Sequence, residues 1–174
     1  MTEDLRFPTG KFRFNPDITA QTRARAIDAI RRTPSALRAA VNGLNEARLD
    51  TPYRPGGWTV RQLVHHVPES HMNAFVRFKL ALTEDNPTIK PYDEDRWAKT
   101  KDVKGAIAPS LTLLDALHDR WVTLLEGMDA ADFTRPLQHP ERGPMSLDSM
   151  LQLYAWHGPH HVAHVTSLRS REGW

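Results

Sequence analysis

Nine histidines stand in this chain of 174 residues. Seven fall in two short windows: His65, His66 and His71, then His157, His160, His161 and His164. An imidazole can bind a divalent metal ion, move a proton, or fill a core position as a hydrogen-bonded ring. The second window holds two pairs at i and i+4, His157 with His161 and His160 with His164. Residues four apart stand one above the other on a helix, so both rings of a pair can reach one ion. The chain contains no cysteine, which removes disulfides, thiolate zinc sites, iron–sulfur clusters and a cysteine nucleophile. A transition-metal site here is therefore built from imidazole and carboxylate.

The elements that must position these rings are readable from apolar spacing. Thr59, with Gln62 three residues on, forms a capping box at a helix start. Val60, Leu63, Val64, Val67, Ala74, Phe75, Phe78 and Leu82 then make an apolar stripe. Ser146 caps the last helix, with Leu147, Met150, Leu151, Tyr154, Val165 and Leu168 inward. Two more helices run from about Thr19 to Leu44 and from near Ser110 to Met128. Pro34 is expected to kink or divide the first, and Pro68 and Pro159 to bend the others. Residues 1–16 read as an extended arm laid on the body by Phe7, Phe12 and Phe14, and residues 50–57 as a turn-rich loop. Residues 84–109 lack any sustained period, and residues 133–146 read as a small hairpin or loop. The pattern predicts an all-α fold: one domain over residues 1–174, an up-down four-helix bundle with an N-terminal arm. A long loop joins helices two and three, and the small hairpin or loop precedes helix four.

At 3.6 residues per turn, His157 and His161 fall beside Met150 and Leu168 on the inward face, and His160 and His164 further toward solvent. On the second helix His71 falls in the middle of the apolar face. His66 falls on its flank with Ser70, Asn73 and Arg77, and His65 toward solvent. Periodicity favours His71 as the inward ring, but Pro68 interrupts the wheel and a flank position suits a ligand at a crevice rim. Both stay candidates on spacing alone. HxxxH is also a short pattern, and Gly158 after His157 rules out the HExxH of zinc proteases. A purely structural histidine pair accounts for the spacing equally well. His71 and His118 read as hydrogen-bonded core rings, and His139 carries no site argument by itself.

Composition narrows the function classes. Twenty-three basic residues against 21 acidic give a net charge of +2. The basic residues are scattered, so no nucleic-acid partner is expected. No apolar run approaches the roughly 20 residues of a membrane span. The opening Met1-Thr-Glu-Asp lacks the basic and apolar regions of a secretory signal, so none is expected.

Several stretches resemble a known family. They are Leu49-Asp-Thr-Pro-Tyr-Arg-Pro-Gly-Gly-Trp-Thr-Val-Arg-Gln-Leu-Val-His-His66, Ser70-His-Met-Asn73 running into Arg77-Phe-Lys-Leu-Ala-Leu-Thr83, and Ile89-Lys-Pro-Tyr-Asp-Glu94. Leu117-His-Asp-Arg-Trp121, Tyr154-Ala-Trp-His-Gly-Pro-His-His-Val-Ala-His164 and Pro8-Thr-Gly-Lys11 complete the set. Together they resemble the DinB-like metal-binding four-helix proteins. Within these the likeness is to the YfiT group, which includes bacillithiol S-transferases and metal-dependent hydrolases. The resemblance implies a three-histidine site holding one divalent zinc or nickel ion per chain. Its ligands would be His66, at the family's spacing from Trp58, with His157 and His161. It also implies a cytoplasmic homodimer. Pro68 and Pro159, each two positions after an implied ligand, depart from the family's pattern.

Three neutral imidazoles leave a zinc-like ion its full charge and an open position, the catalytic arrangement. Bound water can then supply hydroxide near pH 7, or a small-molecule thiol can bind as thiolate. Lowering a thiol pKa from about 8.5 to roughly 6.5 raises the thiolate fraction at pH 7 about 25-fold. Nucleophilicity falls roughly tenfold in return, leaving a net gain of about threefold. Positioning must therefore supply most of the catalysis. The leading expectation is a metal-dependent S-transferase joining a bacillithiol-like thiol to an electrophile in detoxification. The alternatives are a metal-dependent hydrolase and a non-catalytic metal-binding stress-response module. Asp93, Glu94 and Trp97 are expected either to close over the thiol or to pack an interface. Arg77 and Asn73 are expected to orient a carboxylate on the thiol, or to make ordinary surface pairs.

Overall fold

A computed structural model describes residues 4–174. Residues 1–3 of the arm, where the absence of a secretory signal was read, lie outside the described residues. The chain forms α1 (Ala20–Val41), α2 (Glu46–Leu49), α3 (Val60–Thr83) and α4 (Glu94–Trp97). A short 3-10 turn, Asp102–Lys104, leads to α5 (Ala108–Glu126) and α6 (Ala130–Thr134). The strands β1 (Pro136–His139) and β2 (Gly143–Ser146) then pair antiparallel, Leu137 opposite Met145, before α7 (Leu147–Glu172). No helix among the described residues is long and apolar enough to cross a membrane.

The helix starts follow from local chemistry. Thr59 accepts from the Gln62 backbone while the Gln62 side chain accepts from the Thr59 N–H. Ser146 and Ser149 make the same reciprocal pair ahead of α7. These bonds satisfy N–H groups that a helix end otherwise leaves open.

The four long helices form the expected four-helix bundle, but their order is not simple up-down alternation. The C-terminal part of α1 shares one apolar cluster with the N-terminal parts of α3 and α5 and the C-terminal part of α7. The opposite ends share a second cluster around Trp121, Phe78 and Met150. Thus α1 and α7 run one way, and α3 and α5 the other. Each of α1 and α3 packs on both α5 and α7, which places α1 and α3 on a diagonal. The reason lies in the segment from Glu84 to Ile107. An α-helix rises about 1.5 Å per residue and extended chain about 3.3 Å. That segment is therefore long enough to carry the chain back along the bundle and start α5 parallel to α3.

The three internal prolines do not divide their helices: α1, α3 and α7 each run unbroken through them. Burial on the bundle offsets the lost hydrogen bond. Each proline still deprives the carbonyl four residues back of its helical donor, Ile30 in the case of Pro34. The arm lies along α7, with the Trp156 Nε1–H donating to the Gly10 carbonyl at 3.0 Å and Asn15 bonded to Gln152 through two contacts. Phe7 and Phe12 sit over His160 and Trp156. Phe14, expected to pack down with them, is exposed because the arm turns that ring outward.

Candidate metal centre

The helix α3 delivers His66, and α7 delivers His157 and His161. One ligand atom from each lies within 4.8 Å of the other two. Nε2 of His157 and Nε2 of His161 are 3.2 Å apart. Two nitrogens bound tetrahedrally at about 2.0–2.1 Å from zinc would stand about 3.3–3.4 Å apart, so the pair has chelating separation. The Nδ1 of His161 is buried and has no hydrogen-bond partner. What marks the pair is that both Nε2 atoms converge on one point that His66 also reaches.

Burial is the first cause holding these rings neutral. It lowers His66 to about 4, and holds His157 and His161 well below the usual histidine range, with neighbouring rings adding to the effect. Neutral imidazoles present the lone pairs that coordination needs. The grouping contains no carboxylate or thiolate, and all-imidazole donors suit zinc, nickel, copper or iron rather than magnesium or calcium. The residues present therefore fit a divalent transition ion.

His71 is fully buried with both nitrogens engaged, Nδ1 with His118 Nε2 at 2.8 Å and Nε2 with His157 Nδ1 at 3.0 Å. It turns no free nitrogen toward the cavity, whereas His66 does. His71 and His118 are thus hydrogen-bonded core rings, as their place on apolar faces suggested.

Three other histidines depart from the wheel. His65, expected at the surface, is buried with Nδ1 2.7 Å from Ser110 Oγ, because the start of α5 covers it. His160 and His164, also expected toward solvent, are buried, with their Nε2 atoms 3.1 Å apart. Trp156 stacks on His160 at 4.2 Å, and Tyr53 covers His164 at 4.1 Å. Trp156 stands on α7 itself, but Phe7, which lies over His160, comes from the arm and Tyr53 from the 50–57 loop, neither of which the wheel of one helix includes.

The three candidate ligands open onto a cavity of about 550 Å³. Arg6, Arg54, Arg77 and Arg142 line it. So do Glu94, Asp95 and His139. Arg77 is buried, and its guanidinium donates to the Lys90 carbonyl at 3.2 Å. Asn73 is not among the lining residues; its side chain donates back to the Glu69 carbonyl at 2.9 Å. From the long segment, Glu94 reaches the cavity. Asp93 caps α4 by accepting from the Arg96 N–H, and Trp97 packs against Tyr92 at 4.5 Å. Trp58 Nε1–H donates to Asp95 at 3.1 Å, tying the 50–57 loop to α4. Tyr53, Arg54, Asp95 and Arg142 were not singled out in the sequence, since they lie on loops and a four-residue helix that carry no periodic signal.

With this geometry in view, the chain's relationships are clear. Residues 29–165 match the DinB superfamily, and the chain belongs to it. It is 51% identical over 172 residues to a Bacillus mycoides (strain KBAB4) protein named "Putative metal-dependent hydrolase", with 99% of each chain covered. A Bacillus cereus (strain B4264) protein of the same name is 52% identical over 171 residues, covering 98% of this chain and 99% of its own. Among solved structures, YfiT from Bacillus subtilis superposes with a TM-score of 0.95 at 44% identity, over 99% of both chains. That protein is described as "a probable metal-dependent hydrolase with an unusual four-helix bundle topology".

Proposed function

We propose that the chain binds one divalent metal ion through His66, His157 and His161 and activates a small-molecule thiol for transfer to an electrophile. The observation that carries this reading is the three neutral imidazoles opening onto an arginine-lined cavity, in a chain without cysteine. A divalent ion supplies Lewis acidity there, bringing a thiol or water held against it toward its nucleophilic form near neutral pH.

The chain's own side chains do the positioning. Arg77 is already fixed by the Lys90 carbonyl, so less freedom is lost when its remaining N–H groups grip a carboxylate. Arg54 and Arg142 add further guanidinium groups to a lining that also holds Glu94, Asp95 and Glu141. The Trp58–Asp95 bond holds α4, with Glu94 and Asp95, at the cavity edge. Orientation of this kind is where the rate must come from, because deprotonation alone contributes only about threefold.

A second reading, metal-dependent hydrolysis, is favoured by the names of the relatives. The two differ in whether a thiol is consumed. The metal-loaded chain should be assayed with a thiol panel and a generic electrophile, beside ester and amide panels. Thiol consumption abolished by His157→Ala supports transfer. Hydrolysis without a thiol requirement would replace it, and metal binding with no turnover would indicate a binding module. His66→Ala must remove stoichiometric metal; if His71→Ala does so instead, the α3 ligand is misassigned.

A further inference from the structure

Four groups stand in line from α1 to the candidate metal centre. The Ile30 carbonyl lies 2.7 Å from His118 Nδ1. His118 Nε2 lies 2.8 Å from His71 Nδ1, and His71 Nε2 lies 3.0 Å from His157 Nδ1. His71 and His118 are buried, and the bonds along the line go only to rings and a carbonyl, with no carboxylate. An imidazolium here would be a buried charge without a counter-charge, so each ring is neutral. A neutral imidazole has one N–H and one lone pair.

That inventory gives the line a direction. A carbonyl can only accept, so His118 Nδ1 carries the proton and donates. Its Nε2 is then a bare acceptor, so His71 donates from Nδ1. His71 Nε2 is bare in turn, so His157 donates from Nδ1. What remains is His157 Nε2, unprotonated and 3.2 Å from His161 Nε2. No other placement of one proton per ring satisfies all the contacts. The starting carbonyl is available because residue 34 is proline and supplies no helical N–H to Ile30.

We propose that His71 and His118 are positioning residues that lock His157 in the tautomer with its Nε2 lone pair facing the centre, on a direction set at Ile30 by Pro34. The consequence for metal binding rests on the site proposed above; the hydrogen-bond line does not. Metal-bound histidines commonly donate their remote N–H to a carboxylate, carbonyl or water. Here the acceptor is an uncharged imidazole. The ring is oriented without added negative charge, which leaves more of the ion's Lewis acidity for what binds at the open position. Free neutral histidine in water favours the Nε2–H form, so the line imposes the less common one.

Two measurements on the full chain test this. Long-range ¹H–¹⁵N imidazole spectra of the metal-free protein at pH 8 should show Nδ1–H at His71, His118 and His157. Nε2–H at His157 or His118 would overturn the proposal. Zinc affinity, by competition with a chromophoric chelator, should fall 10–100-fold in His71→Leu with one ion still bound at saturation. His71→Gln can accept from His157 through Oε1 and donate to His118 through Nε2, and should return affinity to within a few-fold of wild type. His118→Phe should weaken binding and His118→Gln restore it. Unchanged affinity in a folded His71→Leu would also overturn the proposal. Should that variant not fold, the His157 tautomer in His118→Gln decides: Nδ1–H supports the line and Nε2–H refutes it. A wild-type chain with these tautomers that binds no zinc would overturn the metal site itself. Zinc binding by a chain whose metal-free His157 is Nε2–H would overturn the line alone.

Discussion

Gly158 marks a close approach of α7 to α1, and replacing it with alanine tests how tightly those helices are held. A Cβ there would stand 2.3 Å from Thr33 Oγ1, 2.7 Å from Thr33 Cγ2 and 3.1 Å from Thr33 Cβ. Thr33 is buried, and its hydroxyl donates to the Ala29 carbonyl at 3.0 Å. Rotating the side chain moves two of those atoms but not its Cβ, and it breaks the hydroxyl's bond. Two effects then compete. Alanine in place of a mid-helix glycine gains about 0.8–1.0 kcal/mol, while overpacking a core costs roughly 1–3 kcal/mol. Two contacts below 3.0 Å put the clash in the upper part of its range. The net expectation for Gly158→Ala is destabilisation by about 1–2 kcal/mol, a Tm lower by roughly 2–8 °C for a chain of this size. Thr33→Ala removes two of the three offending atoms, so the double variant should recover most of the loss. A urea-denaturation cycle of the four chains should show a coupling of about 1–2 kcal/mol. Zinc affinity should fall in the single variant as well, because His157 precedes Gly158 on the same turn. If Gly158→Ala were more stable than wild type by about the full helix-propensity gain, the reasoning about this contact would be refuted.

Acid should destabilise the metal-free chain. Burial holds His118 at about 4 in the folded protein against an ordinary value of 6.5, so between those values the unfolded chain binds the extra proton. Stability is therefore full above about pH 6.5 and falls toward pH 4; a urea midpoint that does not change between pH 7.5 and 5 would contradict this. Arg23 holds Asp148 through two bonds of 2.8 and 2.7 Å, with the Asp148 side chain only 5% exposed. Arg23→Ala leaves that carboxylate unpaired and should cost about 3–5 kcal/mol in denaturant unfolding; a loss below about 1 kcal/mol, the range of an exposed pair, would show that water reaches it. Arg77→Met should raise KM for a carboxylate-bearing thiol about tenfold, the loss of one charged hydrogen bond, with kcat little changed. Equal loss in KM and kcat, or none in either, would place Arg77 outside substrate binding.

Much of the site was legible because its determinants are local. The capping pairs at Thr59 and Ser146 act within one helical turn, and one turn also sets the His157 and His161 rings on a common side. Apolar periodicity reports which face of a helix is buried, so the bundle and most of its core followed from it. The same periodicity could not choose between His66 and His71, because both rings are buried and differ only in what their nitrogens meet. It misplaced His65, His160 and His164, whose covers come from α5, the arm and the 50–57 loop.

The amino-acid sequence by itself determined the helices, their caps and the i, i+4 histidine pair, since each depends on neighbours along the chain, and its lack of cysteine excluded thiolate donors. Tertiary structure alone decided the parallel run of α3 and α5, the arginine lining of the cavity and the direction of the histidine line. Pro34 shows the difference. Along the chain it is a missing N–H and an expected kink. In the fold it sits in an unbroken helix, and the carbonyl it frees at Ile30 meets a ring 88 residues further on. Local rules register the bond that proline removes; only the packed bundle supplies the donor that takes its place.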